Sequence, residues 1–183
     1  MVISDSPNTS FDQLFEQNNC LQFFTEGSKI TDAKAVGSAW SCEQLNIIDS
    51  NSLHKSTSIF TAECLAVCKA TKIALEHREK SIKIFTDSLS LIQSLKNPNF
   101  NIRMNNYILE IRANLAKFKK GNKYNANIQV FWIPAHVGIK GNEIADQTAR
   151  AATEKTPENI HSQTEWTNCG APVDKSLNLY LYT

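Results

Sequence analysis

The 183-residue chain has no C-x-x-C pair, no long apolar run, no excess of either charge, no internal repeat and no low-complexity tract. Each absence excludes something. The five cysteines (20, 42, 64, 68 and 169) are odd in number and lack the close pairs of a zinc or redox site. Cys64 and Cys68 lie four apart inside an apolar stretch, where buried thiols are expected rather than ligands. That usage favours a reducing, intracellular compartment. A membrane span needs about 20 consecutive apolar residues, so no membrane partner is expected. The opening Met1-Val2-Ile3-Ser4-Asp5 shows neither the basic nor the apolar region of a secretory signal, and none is expected. Lys and Arg total 19 against 18 Asp and Glu. No global basic field therefore draws the chain to nucleic acid, and an anionic partner has to be held by a local patch or through bound cations.

What is present is the balance of a globular domain: 42% hydrophobic and 20% charged residues, in a length that suits one core. Residues 1–20 are rich in Ser, Asn, Gln and Asp and are expected to be a poorly ordered lead-in. A folded domain is expected over 21–153. Residues 154–183 carry no clear period and are expected to be a tail or a truncated neighbouring region. Within the domain, short β runs occupy 21–25 and two stretches between Ala35 and Ile48. A helix is expected from about Thr61 to His77, with Thr61 as N-cap. A strand at 81–85, helices at 88–96 and within 104–120, a strand at 128–133 and a helix at about 142–154 follow. Three strands followed by alternating α and β elements imply an α/β fold with a mixed sheet and helices against its faces.

Two of the strands end alike. "FFTEGS" (residues 23–28) and "IFTDS" (84–88) each run from aromatic β-formers into Thr, a carboxylate and a small residue. Strand parity sends Glu26 to the side of Phe24, and Asp87 to the side of Phe85. If the two strands are neighbours, both acids emerge together at the end of the sheet. The helix "TAECLAVCKATKIALEH" adds a third. On a wheel of 100° per residue, Glu63 points from the middle of the apolar arc, while Lys69, Lys72 and Glu76 cluster opposite with Leu65 among them. A carboxylate aimed at a core is costly unless paired, hydrogen-bonded or on a metal. Glu63 either caps its own helix N-terminus or is presented, by a helix lying on that same face, to the other two acids. Crowded carboxylates repel, and divalent cations relieve the repulsion.

The stretch Phe131-Trp132-Ile133-Pro134-Ala135-His136-Val137-Gly138-Ile139-Lys140-Gly141-Asn142-Glu143-Ile144-Ala145-Asp146 resembles the closing motif of ribonuclease H domains, particularly those of non-LTR retrotransposon reverse transcriptases. "FFTEGSK", "FTAECLA" and "IFTDSLS" fit the family's three earlier motifs in order, and the resemblance covers roughly 21–153. It implies a ribonuclease H-like fold, a five-stranded mixed sheet with strands 1–3 antiparallel and flanking helices. It further implies endonucleolytic hydrolysis of the RNA strand of RNA–DNA hybrids, as part of a retroelement and with a reverse transcriptase domain of the same polyprotein as partner.

Carried over by motif position, the acidic quartet falls on Glu26, Glu63, Asp87 and Asp146, and a catalytic histidine on His136. The four acids would hold two Mg²⁺ ions, with Mn²⁺ as substitute; ions about 3.5–4 Å apart serve phosphodiester hydrolysis, and carboxylates suit Mg²⁺. For Asp146 alone, charge complementing the helix dipole is the other reading. Substrate contacts are placed near Gly27, Ser28 and Ser88. The basic run around Lys119 and Lys120 is either a grip on DNA phosphates or a solvated helix end. The family's first acid is Asp, whereas this chain has Glu26. That departure opens an alternative, a noncatalytic or impaired hybrid-binding module.

Overall fold

A computed structural model describes residues 20–97, 105–120 and 123–157, together with the backbone of 179–181. The expected lead-in up to residue 19 and most of the expected tail lie outside the described residues. The chain runs β1 (Cys20–Ser28), β2 (Ala35–Cys42), a 3-10 turn (Glu43–Leu45), β3 (Ile47–His54), α1 (Ile59–Glu76), β4 (Ser81–Thr86), α2 (Leu89–Lys96), α3 (Asn106–Lys120), β5 (Ile128–Trp132), α4 (Lys140–Ala152) and β6 (Leu179–Leu181). Among the described residues no helix is long and apolar enough to cross a membrane.

The sheet order is β3-β2-β1-β4-β5-β6. β1, β2 and β3 pair antiparallel, while β4 lies parallel to β1 and β5 parallel to β4. This is the mixed sheet expected from the sequence. β6 extends it by pairing parallel to β5, in a stretch where the sequence showed no period. Its three residues are too few to display one.

β1 and β4 are buried along nearly their whole length, as central strands covered on both faces must be. The odd-numbered residues of β1 (Leu21, Phe23) and the even-numbered ones of β4 (Ile82, Ile84) join α1, α2 and α3 in the larger core. On the opposite face Phe24, Phe85 and Phe131 form a row, with Phe24 and Phe85 stacked at 5.0 Å and Phe85 and Phe131 at 5.3 Å. Ile133 and Ala145 of α4 complete that smaller core. Buried Cys64 and Cys68 are free thiols, as are Cys20 and Cys42.

Two boundaries and one helix face differ from expectation in ways the structure explains. α1 starts at Ile59, because Ser58 rather than Thr61 is the N-cap: the Thr61 amide donates to Ser58 Oγ at 3.1 Å. The third strand extends to His54, since the chain turns at Asn46, in a left-handed conformation with φ 53°. Leu65, placed by the wheel on the charged side of α1, is buried against Val36 and Leu53.

Candidate active site

Register brings the first two acids together. In the parallel β1–β4 pair, Phe24 faces Phe85 and Thr25 faces Thr86, so Glu26 and Asp87 follow side by side above the stacked rings. Thr25 Oγ1 donates to the Phe85 carbonyl at 3.0 Å and ties the two strands just below them. The expected parity therefore holds. The expected route of Glu63 does not. α1 packs on the opposite face of the sheet, and α4 covers the Phe24 face. Glu63 reaches the acids over the end of β1, where Gly27 offers no side chain. A Cβ at Gly27 would lie 2.8 Å from Glu63 Cγ and 2.9 Å from its backbone nitrogen. Gly27→Ala should thus push the first turn of α1 outward and cost about 1–3 kcal/mol in urea denaturation; an unchanged midpoint would show that α1 can slide without loss.

Each carboxyl has its own neighbours. Glu26, 5% exposed, accepts from Asn142 Nδ2 at 2.9 Å and hydrogen-bonds to Asp87. Burial, followed by the charge of Asp87, pushes its carboxyl up to about 9, with smaller contributions from Asp146 and Glu63 and an opposing one from the Asn142 bond. Glu63 is likewise raised, first by burial and then by Asp87, against the hydroxyl of Ser88 that donates to its Oε2. Burial raises Asp87; the Glu26 hydrogen bond and His136 oppose this, and Asp146 adds to it. Asp146 accepts from Arg150 Nε at 3.0 Å, one turn along α4.

The turn between β4 and α2 is pinned twice. Trp132 Nε1 donates to the Asp87 carbonyl at 2.9 Å, and the Ser88 amide to Thr86 Oγ1 at 3.2 Å. Ser88 is also the N-cap of α2, accepting from the Leu91 amide. Its hydroxyl thus serves Glu63 and a helix end at once, and Ser28 is buried. His136 is exposed and stands in a left-handed conformation (φ 55°), with Gly138 (φ 81°) two residues on.

Asn142 and Glu143 were not singled out from the sequence. Both sit inside the closing motif, and Glu143 precedes Asp146 by three positions, hence on the same helix face. Among the described residues, the three-residue group whose ligand atoms all lie within 4.8 Å of one another is His136, Glu143 and Asp146; no trio from the expected quartet is that close. The quartet gathers as neighbouring carboxyls, Glu26 and Asp87 hydrogen-bonded to each other, with Asn142, Ser88 and Arg150 donating to Glu26, Glu63 and Asp146. Lys119 and Lys120 lie elsewhere. α3 starts beside Thr61, where Asn105 Nδ2 donates to Thr61 Oγ1 at 3.0 Å, and its 15 residues carry the lysines about 20 Å away. There the chain enters β5 against the beginning of β4, with the Ile82 amide donating to the Asn127 carbonyl at 2.7 Å. That is the end of the sheet opposite the acids.

The family model for RNase H matches residues 18–154. The chain belongs to the RNase H family. The ribonuclease H proteins of Tropheryma whipplei strains Twist and TW08/27 are each 29% identical to it over 140 residues, covering 74% of this chain and 85% of theirs. Among solved structures, the N-terminal RNase H domain of rv2228c from Mycobacterium tuberculosis, studied as a fusion with maltose-binding protein, superposes with a TM-score of 0.56. It shares 10% identity, over 75% of this chain and 98% of that one, and so speaks to the fold alone. An RNase H domain with an all-oxygen acidic cluster suits hard divalent cations by its donor chemistry. Burial first, and the charge of Asp87 next, push the Glu26 carboxyl up to about 9, so its ionised form would gain from a nearby cation.

Proposed function

We propose that this RNase H domain hydrolyses the RNA strand of RNA–DNA hybrids, with divalent metal ions held by Glu26, Glu63, Asp87 and Asp146. The observation that carries this reading is the convergence of four acids from β1, α1, the end of β4 and α4 on one end of the sheet, where Asp87, Asp146 and Glu63 all act electrostatically on Glu26. Mg²⁺ or Mn²⁺ would supply Lewis-acid activation of water and neutralise charge on the phosphoryl oxygens. The protein's own residues do the rest. Glu26 and Asp87, fixed by strand register, orient the centre of the site, while Glu63 and Asp146 bound it from opposite faces of the sheet. His136, exposed on a left-handed turn beside Asp87, exchanges a proton at an imidazole nitrogen with the departing oxygen. Gly27 and Ser28, at the same end of β1, lie where a ribose 2′-hydroxyl distinguishes RNA from DNA. Lys119 and Lys120 meet the hybrid only if it extends along the domain by about 20 Å.

The closing motif's likeness to non-LTR retrotransposon enzymes supports a retroelement role, with a reverse transcriptase domain as partner. A second reading, an impaired or hybrid-binding module, draws on Glu26 itself, which is longer than the family's Asp and engaged with Asn142. Cleavage of a labelled hybrid in Mg²⁺ or Mn²⁺, comparing the natural chain with Glu26→Asp, separates the two. Cleavage by the natural chain supports the nuclease. A gain of about 10-fold or more in Glu26→Asp marks an impaired one, because misplacing a ligand by about 1 Å costs on the order of 100-fold. Hybrid binding without cleavage in either protein leaves the binding module.

A further inference from the structure

Two residues before the row Phe24–Phe85–Phe131, strand register aligns a polar row, Gln22, Lys83 and Gln129, across β1, β4 and β5. Strand parity puts it on the same face of the sheet. Lys83 is only 4% exposed and Gln22 8%. A lysine is almost never that buried without an anion beside it, and a buried polar row is costly unless its cover is polar too. Among the described residues, α1, α2 and α3 pack on the opposite face. α4 shares the face of the polar row but packs on β1, β2 and β3, leaning away from β4. Ile133 and Ile139, before α4, join the aromatic row rather than the polar one. The cover over Lys83 therefore has to come from chain outside the described residues.

The stretch that runs into β1 has the matching chemistry. Ser10-Phe11-Asp12-Gln13-Leu14-Phe15-Glu16 opens with a capping-box pair, Ser10 and Gln13. Phe11, Leu14 and Phe15 have the i, i+3, i+4 spacing of one helix face. At 100° per residue, Asp12 and Glu16 lie together along one border of that face. The three residues Gln17 to Asn19 span at most about 10 Å before Cys20, which stands opposite Ser81. Lys83 is two residues, about 7 Å, further along β4. A helix of this length, about 10 Å, reaches from β1 across β4 to β5, strands about 4.8 Å apart. The chain between Pro157 and Leu179 is also long enough to reach this face, but its Ile160, Trp166, Val173 and Leu177 follow neither helical nor strand spacing. We infer that residues 10–16 dock as a short amphipathic helix on the row of Gln22, Lys83 and Gln129. Phe11, Leu14 and Phe15 face the sheet, and the border of Asp12 and Glu16 meets the Lys83 ammonium. The folded domain of this chain then begins at Ser10 rather than at Cys20, and the segment buttresses the two strands that carry Glu26 and Asp87.

Hydrogen exchange and urea denaturation of the full chain test this without hybrid or metal, so it stands or falls apart from the proposed hydrolysis. In the natural chain, the amides of residues 14–17, the first that a helix capped at Ser10 bonds internally, should exchange at least about 10-fold more slowly than in a free peptide of residues 1–19. Phe11→Ser with Phe15→Ser should remove that protection and raise the unfolding constant by at least about 30-fold. Asp12→Asn with Glu16→Gln should raise it by about 10-fold, because Lys83 is left buried without its anions. Adding Lys83→Met to the acid variant should return the constant to within about threefold of the natural value, and should not rescue the phenylalanine variant. Trp166→Ser with Val173→Ser should leave it within about threefold. Unprotected amides over 14–17 in the natural chain would overturn the inference, as would an acid variant that Lys83→Met fails to rescue. Losses confined to the Trp166 and Val173 variant would overturn it too, and would make the later segment the cover.

Discussion

Asp87→Asn is expected to lower metal-supported cleavage of the hybrid by at least about 1,000-fold, the consequence of losing some 4 kcal/mol of charge stabilisation. The same substitution should raise the melting temperature of the metal-free domain. Both effects have one cause. The charge of Asp87 is the leading electrostatic contribution that raises Glu26, and it also raises Glu63; its own carboxyl is raised by burial and by Asp146. Asn keeps the shape and removes the charge. The turn itself survives, because Trp132 holds the backbone carbonyl of residue 87 rather than its side chain. A variant that gains stability and loses activity is what a functional cluster of like charges produces. Thermal melts in a chelating buffer and single-turnover cleavage with Mn²⁺ check the two halves. Near-natural cleavage would remove Asp87 from the site, and a lowered melting temperature would mean that the acids do not repel.

Much of this site was legible before the fold was known, and the reason is period two. In a strand, a residue two beyond a core aromatic must share its face, so Phe24 fixed the side of Glu26 and Phe85 that of Asp87. The parallel β1–β4 register supplied the remaining condition, that the strands be neighbours. Glu63 shows the limit of such reasoning. A helical wheel states which side of α1 is buried, but not which face of the sheet buries it. The expected face was wrong, and Glu63 arrives over Gly27 instead.

The edge strand β3 was partly hidden for a different reason. Its second half, Asn51 to His54, is mostly polar, and its pairing is secured by contacts far away in sequence, such as Ser52 Oγ donating to the Ala152 carbonyl at 2.7 Å. Local β-propensity carries no trace of such partners. The N-cap was ambiguous because Ser58 and Thr61 are both capping types, and their hydroxyls in fact lie 2.9 Å apart. Asn142 escaped notice because its importance depends on which side chain it meets across 116 residues.

The metal-free domain is expected to lose stability as pH rises from about 5 to 9, opposite to a protein held together by ionised carboxylates. The folded state keeps the proton on Glu26 up to about 9, against a usual 4.5. Between those values the folded chain binds more protons than the unfolded one, so stability falls with rising pH. The contribution is full below about 4.5 and gone above about 9. Its slope approaches about 1.4 kcal/mol per pH unit for one whole proton. Glu63 and Asp87, raised in the same direction, reinforce the sign. A divalent cation takes over the proton's role, so Mn²⁺ at 100 times its dissociation constant should restore about 2.7 kcal/mol at alkaline pH. It should do far less near pH 5, where protons compete for the same oxygens. Glu26→Gln should flatten the metal-free curve, because its amide does not titrate. Chemical denaturation across this pH range, with chelator and with Mn²⁺, measures each effect. A metal-free stability that rises through the window, or Mn²⁺ stabilisation equal at pH 5 and pH 9, would separate Glu26 from any shared site with Asp87.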